Sequence, residues 1–231
     1  MRRGAVSNRT GEGVIAIDRL LKRDALGSVT LVIDAVACVR RDTAGARFWL
    51  RPLARRLAAR EAAALATASG IEGVPRLLTF DGHRLLRGYV DGSPMHEARP
   101  RSPAYFTAAL TLLRQLHRRG IAHNDVAKEA NWLCTPDGRP ALVDFQLAWL
   151  SARRGRVFRS LAREDIRHLL KHKRTYLPER LTARQRAMLA DPSAATRVWR
   201  AAVKPCYRFV TRRLLGWEER DGPLERRDAG R

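Results

Sequence analysis

The hydrophobic period of the chain changes once, near Gly92, and that change restricts the folds open to it. Before Gly92, short β-like runs appear at Val14–Leu21, Val29–Val32, Ala35–Arg41, Val74–Phe80 and His83–Val90. Asp81-Gly82 supplies the turn between the last two. One helix interrupts them. Over Arg51–Thr67, Pro52 suits a first turn, and Leu53, Leu57, Glu61 and Leu65 recur every four residues on one face. After Gly92 the pattern is mostly helical. Ser102 and Pro103 stand where an N-cap and a first helical residue belong, Phe106, Leu110, Leu113 and His117 follow at helical spacing, and Gly120 ends the run. Two short strands, Trp132–Cys134 and Ala141–Val143, flank the turn Pro136-Asp137-Gly138. Helices are expected through most of Leu161–Trp217. The sequence therefore predicts an α+β fold of two lobes, a small antiparallel β-rich N-lobe with one helix and a reduced helical C-lobe. A cleft at such a junction is a usual ligand site.

The 231 residues allow one sizeable domain or two small lobes, and 45 % hydrophobic residues can form a packed core. Cys38, Cys134 and Cys206 are far apart without metal-ligand spacing, as expected of small buried residues in a reducing compartment. No apolar run approaches the roughly 18 residues of a membrane-spanning helix. Met1–Gly13 is basic and lacks the apolar middle of a signal peptide. These features predict a cytoplasmic protein.

The formal charge is +22, and only five of the 45 basic residues are Lys. Residues 1–150 hold 23 basic and 14 acidic side chains, a net +9; residues 151–231 hold 22 and 9, a net +13 in about half the length. Such a field attracts anions: nucleotide, nucleic acid, acidic glycolipid or the inner face of a cytoplasmic membrane.

The chemistry concentrates in His123-Asn124-Asp125-Val126-Ala127-Lys128-Glu129-Ala130-Asn131, followed by Val143-Asp144-Phe145. A loop between a helix and a short strand presents a carboxylate, a Lys and an amide. A hairpin later, a second carboxylate arrives at a strand end. Phosphoryl transfer needs a carboxylate to orient the acceptor hydroxyl, oxygen ligands for Mg²⁺, and a cation near the transferred group.

These residues resemble the protein kinase superfamily. The patterns H-R-D-x-x-x-x-N and D-F-G match His123–Asn131 and Asp144–Gln146. The likeness is greatest to small bacterial kinase-like proteins, including lipopolysaccharide core (Kdo/heptose) kinases and RIO-type serine/threonine kinases, over about residues 15–175. The resemblance implies Asp125 as catalytic base, Asn131 and Asp144 as ligands of Mg²⁺ or Mn²⁺, Lys128 as the cation at the γ-phosphate of ATP, and His123 as a support of the loop. Three departures stand out. The Asp-to-Asn interval is one residue longer, Gln146 replaces Gly, and no A-P-E triplet follows.

The resemblance also gives Glu61 a partner. In kinase-like folds this helix carries a Glu that pairs with a Lys on the third strand. Here that strand ends in Arg40-Arg41, so Arg40 is the first candidate and Arg41 the second. Gly27 and Ser28, between the first two strands, are candidates to place backbone N–H groups on phosphate, with a plain hairpin turn as the alternative. Leu86 and Tyr89 would contact adenine at a hinge near 87–92, or simply pack. Asp165 would brace the catalytic loop, or serve the start of a helix. In the tail, Phe209, Leu214 and Trp217 form a stripe beside Arg208, Arg212 and Arg213; it would lie on an anionic membrane or pack on its own domain.

The expected organisation is a basic flexible N-terminus (1–13), a kinase-like domain (14–217, with the N-lobe to about 90 and the C-lobe from about 93) and a charged tail (218–231). The expected function is transfer of the γ-phosphate of Mg-ATP to a hydroxyl of a lipopolysaccharide-type glycolipid or sugar, or of a protein Ser/Thr. The alternative is a catalytically impaired, pseudokinase-like nucleotide-binding or RNA-associated module. Nucleic acid is the least favoured partner, since no aromatic-basic RNA motif accompanies the charge.

Overall fold

The computed structural model describes residues 17–34 and 36–190. The fold is α+β. Five antiparallel strands, β1 (Ile17–Asp24), β2 (Gly27–Ile33), β3 (Ala37–Asp42), β4 (Leu77–Phe80) and β5 (Arg84–Gly88), form one sheet in the order β1-β2-β3-β5-β4. The helix α1 (Arg51–Thr67) is inserted between β3 and β4 and has the length its pattern predicts. Its seven alanines favour helix and permit close packing. The buried face follows the predicted stripe only in part: Glu61 and Leu65 are buried and Leu57 half-buried, but Leu53 lies 44 % exposed, and Ala54, Ala58, Ala62 and Ala64 complete the face. Evenly spaced leucines drift around a helix of 3.6 residues per turn, and the small alanines approach the sheet more closely.

The remaining elements are largely helical: α2 (Met95–Ala98), α3 (Pro103–Arg118), α4 (Arg156–Tyr176) and α5 (Ala183–Ala190). Short strands, all but β6 lying between α3 and α4, build two small sheets. β8 (Trp132–Cys134) lies between β6 (Ser93–Pro94) and β9 (Pro140–Leu142), and β7 (Ile121–Ala122) pairs with β10 (Trp149–Leu150). Gly120 ends α3 at φ +75°, where a Cβ would stand 2.4 Å from the Ser151 carbonyl oxygen. One core joins the two parts. Leu65 and Ala68 at the end of α1 pack with Leu113, Leu116, Trp132, Phe145 and Leu169, so α1 is held both by the sheet and by the helices. The features expected at 1–16 and 191–231, including the tail stripe and Cys206, lie outside the described residues. Among the described residues no helix is long and apolar enough to cross a membrane.

Candidate active site

The loop after β7 is ordered from below by α4. Buried Asp165 accepts the backbone N–H of His123 at 2.7 Å and of Asn124 at 2.9 Å, and its Oδ2 also lies 3.1 Å from His117 Nε2. Two and three turns further along α4, His172 and Tyr176 continue the same polar stripe. His172 Nε2 lies 2.9 Å from the Val126 carbonyl, to which the Trp132 indole also donates. The Tyr176 hydroxyl donates to Glu129 at 2.8 Å. Burial alone would push the Glu129 carboxyl up, but His172 and Tyr176 outweigh it and hold it below its ordinary value. The expectation that Asp165 braces the loop is thus met by geometry. The stripe at 172 and 176 escaped the sequence reading, although the steps of seven residues from Asp165 to His172 and four from His172 to Tyr176 mark one helix face.

Within the loop, Asp125 is nearly buried. Its Oδ2 accepts from Lys128 Nζ at 2.8 Å and from Asn131 Nδ2 at 2.9 Å, and its N–H points at His123 Nδ1. Burial pushes the Asp125 carboxyl above its ordinary value, and Lys128 opposes that rise. Asn131 commits its amide N–H groups to Asp125, which leaves its carbonyl oxygen as the atom available to a cation. The Val143 N–H donates to the backbone carbonyl of Asn131, and the Val143 carbonyl meets His123 Nε2 at 3.1 Å. Asp144 follows in left-handed backbone, φ +66°, with Phe145 fully buried edge-on to His123. A non-glycine residue held there carries strain of a kind concentrated at functional sites.

The sheet contributes from the other side. Glu61, fully buried, faces two guanidinium groups: Arg41 Nε at 3.1 Å from one carboxylate oxygen and Arg87 Nε at 3.3 Å from the other. Arg41 Nη2 also stands 3.8 Å from Asp144 Oδ1, a buried oxygen with no hydrogen-bond donor. The Gln146 amide, turned oxygen-first, accepts from Arg41 Nε at 3.0 Å. Burial pushes the Arg87 guanidinium down and Glu61 draws it back up.

Arg40, the first candidate for Glu61, is a correction. Side chains alternate along a strand; Arg40 points to the opposite face and pairs with Asp18 at 2.6 Å. Leu86 lies beside Arg40 in the ladder, so it too shares the face away from Glu61. Tyr89 is 40 % exposed just beyond β5. Gly27 and Ser28 are likewise corrected toward the plain hairpin. Ala25-Leu26 form a two-residue turn, Asp24 accepts the Leu26 N–H, and both Gly27 and Ser28 sit in strand pairing. A Cβ at Gly27 would lie 2.1 Å from the Asp42 carbonyl oxygen, so glycine there answers a close backbone approach. Arg87 was missed. It shares a strand face with Leu85, opposite Val39 and Arg41, through a register between distant strands that no sequence pattern signals.

A continuous chain of contacts thus runs from Asp125 through Asn131, Val143, Asp144 and Arg41 to Glu61. Among the described residues no group of three or more His, Cys, Asp or Glu side chains is set to hold a metal unaided. Asp144 and Asn131 offer two oxygens, a set that suits Mg²⁺ completed by water and phosphate. A cavity lined by Phe106, Leu110, Leu169 and Lys173 involves none of the candidate residues. Comparison with protein-family models and with curated proteins finds no match to the chain.

Proposed function

We propose that the chain is an ATP-dependent phosphotransferase of the protein kinase superfamily, with Asp125 as general base. The observation that carries this reading is the contact chain linking Asp125 to Asp144, Arg41 and Glu61. The order of the five strands, with α1 inserted before β4, agrees with a kinase-like N-lobe.

Asp125 would accept the proton of an acceptor hydroxyl. Its raised affinity for a proton suits a base, and Asn131 and Lys128 fix its orientation. Lys128, half exposed at the loop surface, would turn toward the transferred phosphoryl group. Asp144 and the Asn131 carbonyl would hold Mg²⁺ or Mn²⁺, whose charge offsets that of the phosphates when bound. Arg41 would replace the usual strand Lys, held by Glu61 as a planar fork rather than a point charge. His123 would keep Val143, and so Asp144, in register with the loop.

The acceptor would be a glycolipid or sugar hydroxyl, or a protein Ser/Thr. The absence of an A-P-E triplet after Asp144 and the basic second part favour the former. An inner-membrane-facing location would follow from a lipid acceptor. One observation favours the impaired alternative. Arg41 already faces Glu61, Asp144 and Gln146, and an Arg so engaged has less freedom to serve phosphate. Incubation of the purified protein with γ-labelled ATP and fractionated lysate separates these readings. Label in lipid or in protein names the acceptor class. ATP binding by calorimetry without label in any fraction would establish the impaired form, and neither binding nor label would sink both.

A further inference from the structure

The turn Phe48–Leu50 and the start of α1 carry an exposed surface that the site does not use. Phe48 is 79 % exposed, Trp49 48 % and Leu53 44 %. Arg47, Arg51, Arg55, Arg56 and Arg60 are exposed around them, and no acidic residue occurs between Asp42 and Glu61. The opposite side of this segment is anchored. Leu50 and Ala54 pack with Leu26 and Ala46 under the β1–β2 turn, and Arg51 donates to the Ala46 carbonyl. The three apolar side chains are therefore fixed outward by packing beneath them, at a cost in exposed apolar surface that nothing in the described fold offsets.

We infer that this face, Phe48, Trp49 and Leu53 ringed by the five arginines, seats the protein on an anionic lipid surface. The charge selects the occupant. Five positive charges with no acid in their own segment call for a polyanion, and an apolar wedge at their centre calls for one that can also bury hydrocarbon. Leu53 has no ring to stack on a base, which favours lipid over nucleic acid. Trp49 is suited to the headgroup level, where an indole can bury its body and keep its N–H wet. The chain's own outlying segments match poorly by charge. Residues 1–16 hold three basic and one acidic side chain, and residues 191–231 hold ten and six. Glu61 is fully buried on the opposite side of the helix, against Arg41 and Arg87 of the sheet, so seating on the exposed side leaves the candidate active site uncovered. The inference does not depend on phosphotransfer.

The test uses the full chain with vesicles of phosphatidylcholine, with and without phosphatidylglycerol. Binding to the anionic vesicles should be strong at low salt and weaken as salt rises. F48S/W49S/L53S should lose at least about tenfold in partitioning with the melting temperature held, since these side chains leave the core untouched. R47Q/R55Q/R56Q/R60Q should lose on the order of 10²-fold. Bromine-labelled acyl chains should quench tryptophan emission less in W49F than in the parent; this conservative variant decides the matter even if the triple variant is unstable. Equal quenching in W49F and parent would overturn the inference. So would vesicle binding that survives both multiple variants, which would assign it to another basic part of the chain. Two further results would also overturn it: binding of an RNA oligonucleotide, but not vesicles, that the four-Gln variant abolishes, or a dimer in sedimentation that F48S/W49S/L53S dissolves.

Discussion

The two sides of the candidate site are held by different physics. On the helical side, the loop carboxylate Asp125 and its brace Asp165 are satisfied by close hydrogen bonds from backbone and amide donors at 2.7–2.9 Å. On the sheet side, Glu61 is held by charge. Two guanidinium groups approach its oxygens at 3.1 and 3.3 Å, yet neither oxygen receives a well-aligned hydrogen bond. A hydrogen-bonded clamp fixes direction. A buried charge cluster fixes proximity and tolerates rotation, so the sheet side is the part able to yield to an arriving anion.

The largest expected effect breaks the helical side. Asp125→Asn keeps the Asn131 contact but removes the proposed base, and phosphoryl transfer should fall roughly 10²–10⁴-fold with ATP affinity retained. Single-turnover assays with matched calorimetry measure both, and a variant with near-parental turnover would end the assignment.

Next comes the sheet side. Glu61→Gln leaves the largely buried Arg87 without its counter-ion and Arg41 with Asp144 alone, and should cost about 3–5 kcal/mol in urea unfolding. Adding Arg87→Met should recover part of that loss, because the second change removes one stranded charge. Strictly additive losses would show that Arg87 and Glu61 do not act as a pair.

A smaller effect sharpens the contrast through pH. The folded-state pKa of Asp125 is raised above the ordinary 3.8, so the native state binds its proton more tightly than the unfolded chain does. Its contribution to stability is fullest below 3.8 and is lost as pH rises through the raised value. Asp125→Asn should therefore melt higher than the parent at neutral pH, by about 2–4 °C for each kcal/mol relieved, and the gain should vanish in acid. A gain that persists unchanged in acid would point to some other source.

The smallest effect tests the register. Arg40 and Asp18 are both more than a third exposed, so Arg40→Ala should cost under about 1 kcal/mol and leave turnover intact. Arg41→Ala should impair catalysis. Equal catalytic losses at the two positions would contradict the strand alternation described for β3.

The helical side was legible in the sequence because its order is local. His123, Asp125, Lys128 and Asn131 lie within nine residues, and Asp144 follows one hairpin later, so neighbouring in sequence nearly dictates neighbouring in space. The sheet side was only half legible. Glu61 stood out as a carboxylate among apolar residues, but choosing Arg41 over Arg40 required knowing which way β3 faces. A one-residue ambiguity there inverts every side chain. Arg87 reaches Glu61 through a ladder between strands far apart in sequence, and no short window contains that information. The leucine stripe of α1 misled for a related reason. Alanine looks neutral in a periodicity count but packs closest to a sheet.

The stripe on α4 also has a consequence for the order of synthesis. Asp165 follows His123 by 42 residues, and at roughly 5–20 residues per second a ribosome takes about 2–8 s to make that stretch. During that interval the sheet and its hairpins can close by themselves, while the loop bearing Asp125 has no brace beneath it. The geometry of the candidate loop is thus acquired later than that of the sheet. A polypeptide arrested before residue 165 would display a finished sheet beside an unset loop.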